Sequence, residues 1–139
     1  MLSVIIPVLN EAKNLESLLS RLRAICPAAE VIVVDGGSED ETSVVVRQFP
    51  WVMYLSGRRG RASQMNAGAT VANGEVLLFL HADTLLPAGT NTAIVEAFND
   101  PKVVAGRFDI RFDNPRPVFT VIAFFINLRS RLTKICTGD

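Results

Sequence analysis

Two polar groups follow one of the most apolar stretches of this 139-residue sequence. Val76–Leu80 is an unbroken apolar run, and the single histidine of the chain, His81, and the carboxylate of Asp83 come soon after it. Mg²⁺ takes only one or two protein carboxylates and completes its shell with phosphates and water, so Asp83 is a candidate ligand for Mg²⁺ or Mn²⁺. His81 is either a weaker ligand of the same ion or a residue that fixes the turn.

A second carboxylate, Asp35, ends the apolar segment Glu30–Asp35 and is followed by Gly36 and Gly37. A carboxylate at the end of a buried strand can accept two hydrogen bonds from the edge of a nucleotide base or from a ribose diol. Asp-Gly is also a common turn pair, so Asp35 has an equally simple interpretation as a turn residue. The sequence leaves both interpretations open.

Three arginines lie within four positions of one glycine-bearing loop: Arg58, Arg59 and Arg61. Guanidinium groups match phosphate oxygens, and a helix start adds backbone N–H donors. The alternative is an ordinary solvated basic loop. The placement of this loop at the end of a predicted strand favours anion binding.

Hydrophobic periodicity predicts strands alternating with helices around these groups. The predicted strands are Leu2–Val8, Glu30–Asp35, Trp51–Ser56, Glu75–Leu80 and an alternating, half-exposed or edge strand at Val103–Phe112. The predicted helices run from Asn10 and Glu11 to a stop at Pro27, from a capping box of Ser38 and Glu41 to about Gln48, and over Arg61–Ala72, Thr90–Phe98 and Pro117–Thr133. Gly68 is interpreted as a site of close helix–sheet packing.

This alternation predicts an α/β fold with a mainly parallel sheet and helices on both faces, in three layers. Ligands of such sheets bind outside the carboxyl ends of the strands. The four predicted strands before residue 81 all end in polar or glycine-rich residues, so we expect these groups to line one rim.

Composition excludes several classes of function. The net charge is zero, which gives no case for nucleic acid binding. Two cysteines without CxxC spacing fit a reducing cytoplasm better than a disulfide scaffold. Val118–Leu128 is too short to span a bilayer, which needs about 20 apolar residues. The helix Pro117–Thr133, with its basic end, is a core helix, a helix lying on an anionic membrane, or a homodimer contact.

Taken together, these stretches resemble glycosyltransferase family 2, the nucleotide-sugar transferases of the GT-A fold. The matching motifs are Pro7-x-x-Asn10-Glu11, Asp35-Gly36-Gly37-Ser38 with Asp40 and Thr42, Asn66-x-Gly68, and His81-Ala82-Asp83. The string from Gly57 to Ala69, followed by Leu80-His81-Ala82-Asp83, is similar to a bacterial subset associated with radical-SAM and selenium-related domains. The resemblance covers the chain from end to end.

The resemblance implies one nucleotide-sugar-binding GT-A domain over residues 1–139, with a nucleoside diphosphate sugar, UDP-sugar favoured, and Mg²⁺ or Mn²⁺ as ligands. Asp35 matches the aspartate that contacts the base. Asp83 matches the last aspartate of the DxD metal motif, whose first position is His81 here. The implied nucleotide-binding residues are Pro7, Asn10, Glu11, Asp35, Gly37, Arg58, Arg59, Arg61, Asn66 and Ala82.

Thr137-Gly138-Asp139 resembles the start of a family stretch whose aspartate is the catalytic base of inverting members, so Asp139 is the implied base. Family catalytic domains continue beyond this point, and the chain resembles the nucleotide-binding half of a longer enzyme, with most of the acceptor side after residue 139. The implied acceptor is a hydroxyl of a lipid-linked molecule or a glycan, in the cytoplasm or at the inner face of the membrane.

The main alternative is a non-catalytic module that binds a nucleotide sugar, and both His81 and the early end of the sequence favour it. Sugar nucleotidyltransferases and dinucleotide-binding oxidoreductases share the α/β architecture, but they need a glycine-rich loop after the first strand. This sequence has Asn10-Glu11-Ala12 there, which argues against both classes.

Overall fold

A computed structural model describes residues 1–133 of the chain. These residues form two compact units, Met1–Val95 and a second unit that begins at Glu96. The elements in chain order are β1 (Leu2–Val8), α1 (Ala12–Ile25), β2 (Glu30–Asp35), α2 (Thr42–Arg47), β3 (Val52–Ser56), α3 (Arg61–Val71), β4 (Val76–Phe79), α4 (Thr90–Phe98) and α5 (Pro117–Thr133).

A four-stranded, all-parallel sheet in the order β3-β2-β1-β4 forms the centre of the first unit. All seven residues of β1 are buried. In β2, every residue after Glu30 is buried. These apolar runs suit the central strands of a parallel sheet, which are covered on both faces. The predicted parallel sheet is therefore confirmed.

Helices cover both faces of this sheet. On one face α3 packs against β1 and β2, where Ile5, Ile32 and Val34 form a fully buried cluster. On the other face Val4, Ile6, Val31 and Val33 are equally buried. The chain moves from β1 to β3 in one direction and then crosses back to β4, so right-handed crossovers place α1 and α2 opposite α3. The result is the three-layer α/β architecture that the sequence predicts.

Gly68 is the point of closest approach between α3 and the sheet. A Cβ atom at Gly68 would lie 2.5 Å from Cγ2 of Ile5 and 3.2 Å from Cγ2 of Val34. Real Cβ atoms do not approach other atoms so closely, so the neighbours would have to shift. The interpretation of Gly68 as a close-packing residue is confirmed.

We expect Gly68→Ala to lower the free energy of unfolding by about 1–3 kcal/mol, even though alanine is the better helix former. Chemical denaturation measures this change. Thr70→Ala is the matched control, because Thr70 is exposed on the same helix and its replacement keeps the core intact. An unchanged or raised stability of Gly68→Ala would contradict the close contact with Ile5.

A polar clamp closes the opposite edge of the sheet, at the amino ends of β1 and β2. The Glu30 carboxylate accepts hydrogen bonds from Ser3 Oγ and from the backbone and side-chain nitrogens of Asn73, the latter at 2.8 and 2.7 Å. These bonds hold the pKa of Glu30 below its usual value, with the Ser3 hydroxyl as the largest cause. The clamp ties the segment before β4 to the bottom of the sheet.

Two local predictions are wrong. Ser38 and Glu41 form no capping box: α2 begins at Thr42, and Glu41 precedes it without a side-chain cap bond. Val103–Phe112 forms no strand, although it alternates. Within its own unit this segment is held by side chains instead, since Asn127 on α5 pairs with both the N–H and the C=O of Ile110, at 2.9 and 3.0 Å.

Helix α5 turns its apolar residues outward within the part of the chain that the structure describes. Its buried residues are Ala123 and Ser130. Seven large apolar residues of the helix are exposed: Val118, Val121, Ile122, Phe124, Phe125, Leu128 and Leu132. Among residues 1–133, no helix has the length and apolarity needed to cross a membrane.

Candidate functional site

The sheet reverses its strand order between β1 and β4, which places a crevice beside the carboxyl end of β1. The last pair between these strands is Ile5 with Phe79, and β1 continues for three residues beyond it. Pro7 lies in this overhang. Its missing N–H falls on the side toward β4, where pairing has ended, which explains how a central strand tolerates proline. The predicted site residue Pro7 therefore marks the point where the crevice opens.

Asn10 links the end of β1 to the loop after β2. Its backbone has a φ of 57°, a left-handed conformation that asparagine tolerates better than most residues. The Asn10 N–H donates to Ser38 Oγ at 2.9 Å, and Asn10 Oδ1 accepts from the Glu39 N–H at 2.8 Å. Two predicted neighbours on the rim are thus joined directly.

The start of α1 is capped from a different loop. Asp40 Oδ2 accepts a hydrogen bond from the Ala12 N–H at 3.2 Å, and Thr42 Oγ1 accepts one from the Glu11 N–H at 3.0 Å. The Glu11 side chain accepts from Asn14 Nδ2 and is half-buried. The motif residues Asp40 and Thr42 therefore fix the β1–α1 loop, a role that their positions in the sequence do not reveal.

Asp35 is a buried carboxylate, 4% exposed, with four hydrogen bonds. Its Oδ1 accepts from the N–H groups of Gly37 and Ser38 and from Ser38 Oγ, at 3.0, 2.8 and 2.7 Å. Its Oδ2 accepts from the Tyr54 hydroxyl at 2.6 Å. The arrangement fits a turn aspartate that shapes the glycine loop, while direct contact with a base stays a prediction.

Burial and hydrogen bonding shift the pKa values of both Asp35 and Tyr54. Burial by itself raises the pKa of Asp35, but the bonds from Tyr54, Ser38 and Gly37 together hold the pKa below its usual value. Burial and the neighbouring carboxylate raise the pKa of Tyr54 to about 12. Tyr54 thus remains a hydrogen-bond donor, and Asp35 remains ionised, throughout the physiological range of pH.

Gln64 is a buried residue at the carboxyl ends of β1 and β2 that the sequence analysis does not identify. Its side chain is 4% exposed, and Nε2 donates to the carbonyl oxygens of Val8 and Val34, both at 2.8 Å. These carbonyls belong to the carboxyl ends of β1 and β2. The one available signal is a long amide side chain among the small residues of α3.

The arginine loop connects β3 to α3, and Arg58, Arg59 and Arg61 are exposed. Gly60 has a φ of 131°, which favours glycine, and its carbonyl accepts the Gln64 N–H at 2.9 Å to close the first turn of α3. The loop follows the carboxyl end of a strand, as predicted.

Two further predicted nucleotide-binding residues lie on other elements. Asn66 is exposed on α3, and Gly37, after β2, is exposed with a φ of 93°.

The segment after β4 carries the candidate metal ligands. Asp83 is exposed, His81 is half-buried and Ala82 between them is 6% exposed. The Thr84 N–H donates to the His81 carbonyl at 3.1 Å, which forms a tight turn. Among the described residues β4 is an edge strand whose residues alternate between half-buried and exposed, although its sequence is an unbroken apolar run.

One exposed carboxylate beside an imidazole is a sparse donor set. Over residues 1–133, no three His, Cys, Asp or Glu side chains gather into a site that would hold an ion alone. This set fits Mg²⁺ or Mn²⁺ shared with phosphate oxygens of a ligand, because these ions need few protein carboxylates. Asp139, the predicted base, and Cys136 lie outside the described residues.

Comparison with known proteins shows the family to which this chain belongs. The profile of glycosyl transferase family 2 matches residues 3–137. The chain belongs to glycosyl transferase family 2. A PGL/p-HBAD biosynthesis glycosyltransferase of Mycobacterium bovis is 37% identical over 105 residues, covering 70% of this chain and 41% of that protein. The expected family membership is confirmed.

Two further comparisons bear on the fold and on ligands. An undecaprenyl-phosphate 4-deoxy-4-formamido-L-arabinose transferase of Aeromonas hydrophila is 33% identical over 108 residues, covering 70% of this chain and 33% of the relative. The mannosyltransferase PcManGT from Pyrobaculum calidifontis, solved with GDP-Man and Mn²⁺, superimposes with a TM-score of 0.68 at 32% identity. That match covers 73% of this chain and 33% of the mannosyltransferase. The chain thus spans well under half the length of each of these proteins.

Proposed function

We propose that this family 2 chain is the nucleotide-sugar-binding part of an inverting, metal-assisted glycosyltransferase. The observation that carries the proposal is the convergence of Asn10, the Asp35 loop and Asp83 at the carboxyl ends of neighbouring parallel strands. The complex of the 32% identical mannosyltransferase with GDP-Man and Mn²⁺ supports a nucleoside diphosphate sugar as donor. We favour a UDP-sugar on the basis of the family motifs.

Asn10 and the Gly37–Ser38 loop form the base and ribose side of the proposed site. Asp35 acts on this side through the loop, because its oxygens already hold Gly37, Ser38 and Tyr54. Arg58 and Arg59 lie on the loop after β3, Arg61 begins α3, and all three are exposed and proposed to face a diphosphate. Guanidinium groups bind phosphate oxygens with charge-assisted bonds.

Asp83, with help from His81, would hold a divalent ion at the diphosphate. Such an ion, when bound, supplies positive charge that stabilises the negative charge on the departing diphosphate. The arginines would stabilise the same negative charge of the diphosphate from the opposite side of the proposed site. Asp139 is proposed to take the proton of the acceptor hydroxyl, as a general base.

The acceptor is proposed to be a lipid-linked molecule or a glycan, encountered in the cytoplasm or at the inner face of the membrane. The Aeromonas relative, named for undecaprenyl phosphate, supports a lipid-linked phosphate as one acceptor class. The exposed apolar face of α5 is compatible with peripheral membrane contact or with a homodimer.

A non-catalytic nucleotide-sugar-binding module is the second candidate function. His81 in place of the first motif aspartate favours it, because it removes a carboxylate from the metal site. Release of sugar from the donor, with or without an acceptor, by the complete gene product separates an enzyme from a binding module. Binding without release, across donors and both metals, would favour the module.

The proposed donor site predicts ligand stabilisation. We expect one nucleoside diphosphate sugar with Mn²⁺ to raise the melting temperature of the chain by several degrees, since ligand at about 100 times its Kd adds about 2.7 kcal/mol of stability. Thermal-shift screening of UDP-, GDP- and CDP-sugars, followed by calorimetry, measures this. Sugar 1-phosphates serve as controls without a nucleotide. If no donor shifts the melting temperature with either metal, the chain is not a donor-binding unit.

A further inference from the structure

Gln64 occupies an unusual place for a buried amide. It lies on α3, whose other inward-facing residues are glycine and alanine, and its side chain reaches the ends of two strands. Both hydrogens of Nε2 are used, one on the Val8 carbonyl and one on the Val34 carbonyl. Gln64 therefore bridges β1 and β2 at the rim, where the sheet ladder ends.

The same residue also fixes the start of α3. Gln64 is the fourth residue of the helix, and its backbone N–H donates to the Gly60 carbonyl at 2.9 Å. Gly60 belongs to the arginine loop. One residue thus joins the loop that presents Arg58 and Arg59 to the strand ends that lead into Asn10 and Asp35.

Gly36, which follows Asp35, also lies against the Gln64 side chain. A Cβ atom at Gly36 would lie 3.0 Å from Oε1 of Gln64, so the amide rests directly against the Gly36 backbone. The Gly36 N–H donates to the Val8 carbonyl at 3.0 Å, the same oxygen that Gln64 contacts. A displaced Gln64 amide would therefore disturb the backbone from which the Asp35 loop begins.

We propose that Gln64 is a positioning residue that sets the distance between the phosphate-binding arginine loop and the base-binding rim. This rests on the proposed function, because the rim and the loop are assigned to parts of a nucleotide. A residue that only filled space could be replaced by methionine, which has a similar length and volume but no N–H donors.

The test compares Gln64→Met with Gln48→Met, the same chemical change at an exposed position directly after α2. Affinity for UDP and for GDP with Mn²⁺ is measured by calorimetry, and amide hydrogen exchange is followed along the chain. We expect Gln64→Met to bind the preferred nucleotide about 10-fold more weakly. We also expect exchange to accelerate at the segments around Gly36 and Gly60 but not in α1, while Gln48→Met matches the parent chain.

Gln64→Glu adds a signature that a space-filling role lacks, and it covers the case in which the methionine variant does not fold. A protonated glutamic acid still donates one hydrogen bond, whereas an ionised one faces two carbonyl oxygens. Nucleotide affinity of Gln64→Glu should therefore fall as the pH rises, over a range where the parent chain is constant. Affinity and exchange equal to the parent in both variants would overturn the positioning role. If the parent binds neither nucleotide, the proposed function fails, and the exchange data alone decide the role of Gln64.

Discussion

Replacement of Asp83 by asparagine is expected to abolish the Mn²⁺-dependent part of nucleotide-sugar binding, with a loss of about 100-fold in affinity. Loss of one partner of a desolvated charge pair costs about 2–5 kcal/mol, and every 1.4 kcal/mol is about tenfold. Asp83 is exposed at the end of β4, and among the described residues no cluster of carboxylates could replace it. Asparagine keeps the size of the side chain, removes its charge and replaces one acceptor oxygen by an NH₂ donor.

Calorimetry with UDP- and GDP-sugars, with and without Mn²⁺, measures the effect. Glu75→Gln is the matched control, since Glu75 is an exposed carboxylate before the same strand, at the opposite edge of the sheet. In Asp83→Asn, we expect the titrations with and without the ion to coincide. Full Mn²⁺ dependence in this variant would remove Asp83 from the metal site.

A substitution at His81 is expected to strengthen Mn²⁺ binding, the opposite of the effect of Asp83→Asn. His81→Asp supplies the carboxylate that the family motif has at this position and should tighten Mn²⁺ binding if His81 faces the ion. A variant with unchanged metal affinity but lower stability would show that the half-buried His81 side chain supports the fold of this turn and does not bind the ion. The two interpretations left open by the sequence are thereby separated.

The strands and helices that the sequence predicted correctly are those with strong local patterns. β1 and β2 are continuous apolar runs, and α1 has its leucines at helical spacing, so the burial of each element follows from its own residues. Val103–Phe112 shows the limit of this reasoning. Its alternation is a strand pattern, yet a strand also needs a partner, and the partner of a segment is not encoded within it.

The position of the candidate site at the carboxyl ends of the strands could be predicted from the sequence, but the hydrogen bonds among its residues could not. The end of a parallel strand is a ligand edge by topology alone, which placed Asn10, Asp35 and Asp83 correctly. Their bonds join residues far apart in the chain: Asn10 bonds to Ser38, and Gln64 reaches back to Val8. The spacing of Ser38 and Glu41 favours a capping box, whereas the observed contact of Ser38 with Asp35 depends on how the loop folds.

Asp35→Ala is expected to lower the free energy of unfolding by about 3–4 kcal/mol, because it removes the acceptor of four part-buried hydrogen bonds. Tyr54→Phe is the graded control. It removes one hydrogen bond and leaves the three on Oδ1, so a loss of about 1–2 kcal/mol is expected. Urea denaturation at neutral pH measures both. Equal stability of all three proteins would mean that the bonds of Asp35 contribute nothing net.

The pH dependence of this effect has a definite sign. A carboxyl group whose pKa is lower in the folded state stabilises the fold above its unfolded pKa of about 3.9, and that contribution is lost as the pH falls through the folded pKa. Asp35→Asn has no such titration. The stability difference between the parent and Asp35→Asn should therefore be constant between about pH 7 and pH 5 and should narrow below about pH 4. A difference that grows in acid would contradict the lowered pKa.

Nucleotide selectivity then separates the two roles of Asp35. A carboxylate that contacted the base would determine which base binds, so Asp35→Asn would change the ranking of UDP, GDP and CDP. A carboxylate that shapes the Gly37–Ser38 loop would weaken all three alike. We expect the uniform loss, because Asp35 is 4% exposed and its oxygens already accept from Gly37, Ser38 and Tyr54. The backbone of the loop that Asp35 holds would then recognise the base. A changed order of affinity for UDP, GDP and CDP in Asp35→Asn would instead assign base recognition to the carboxylate.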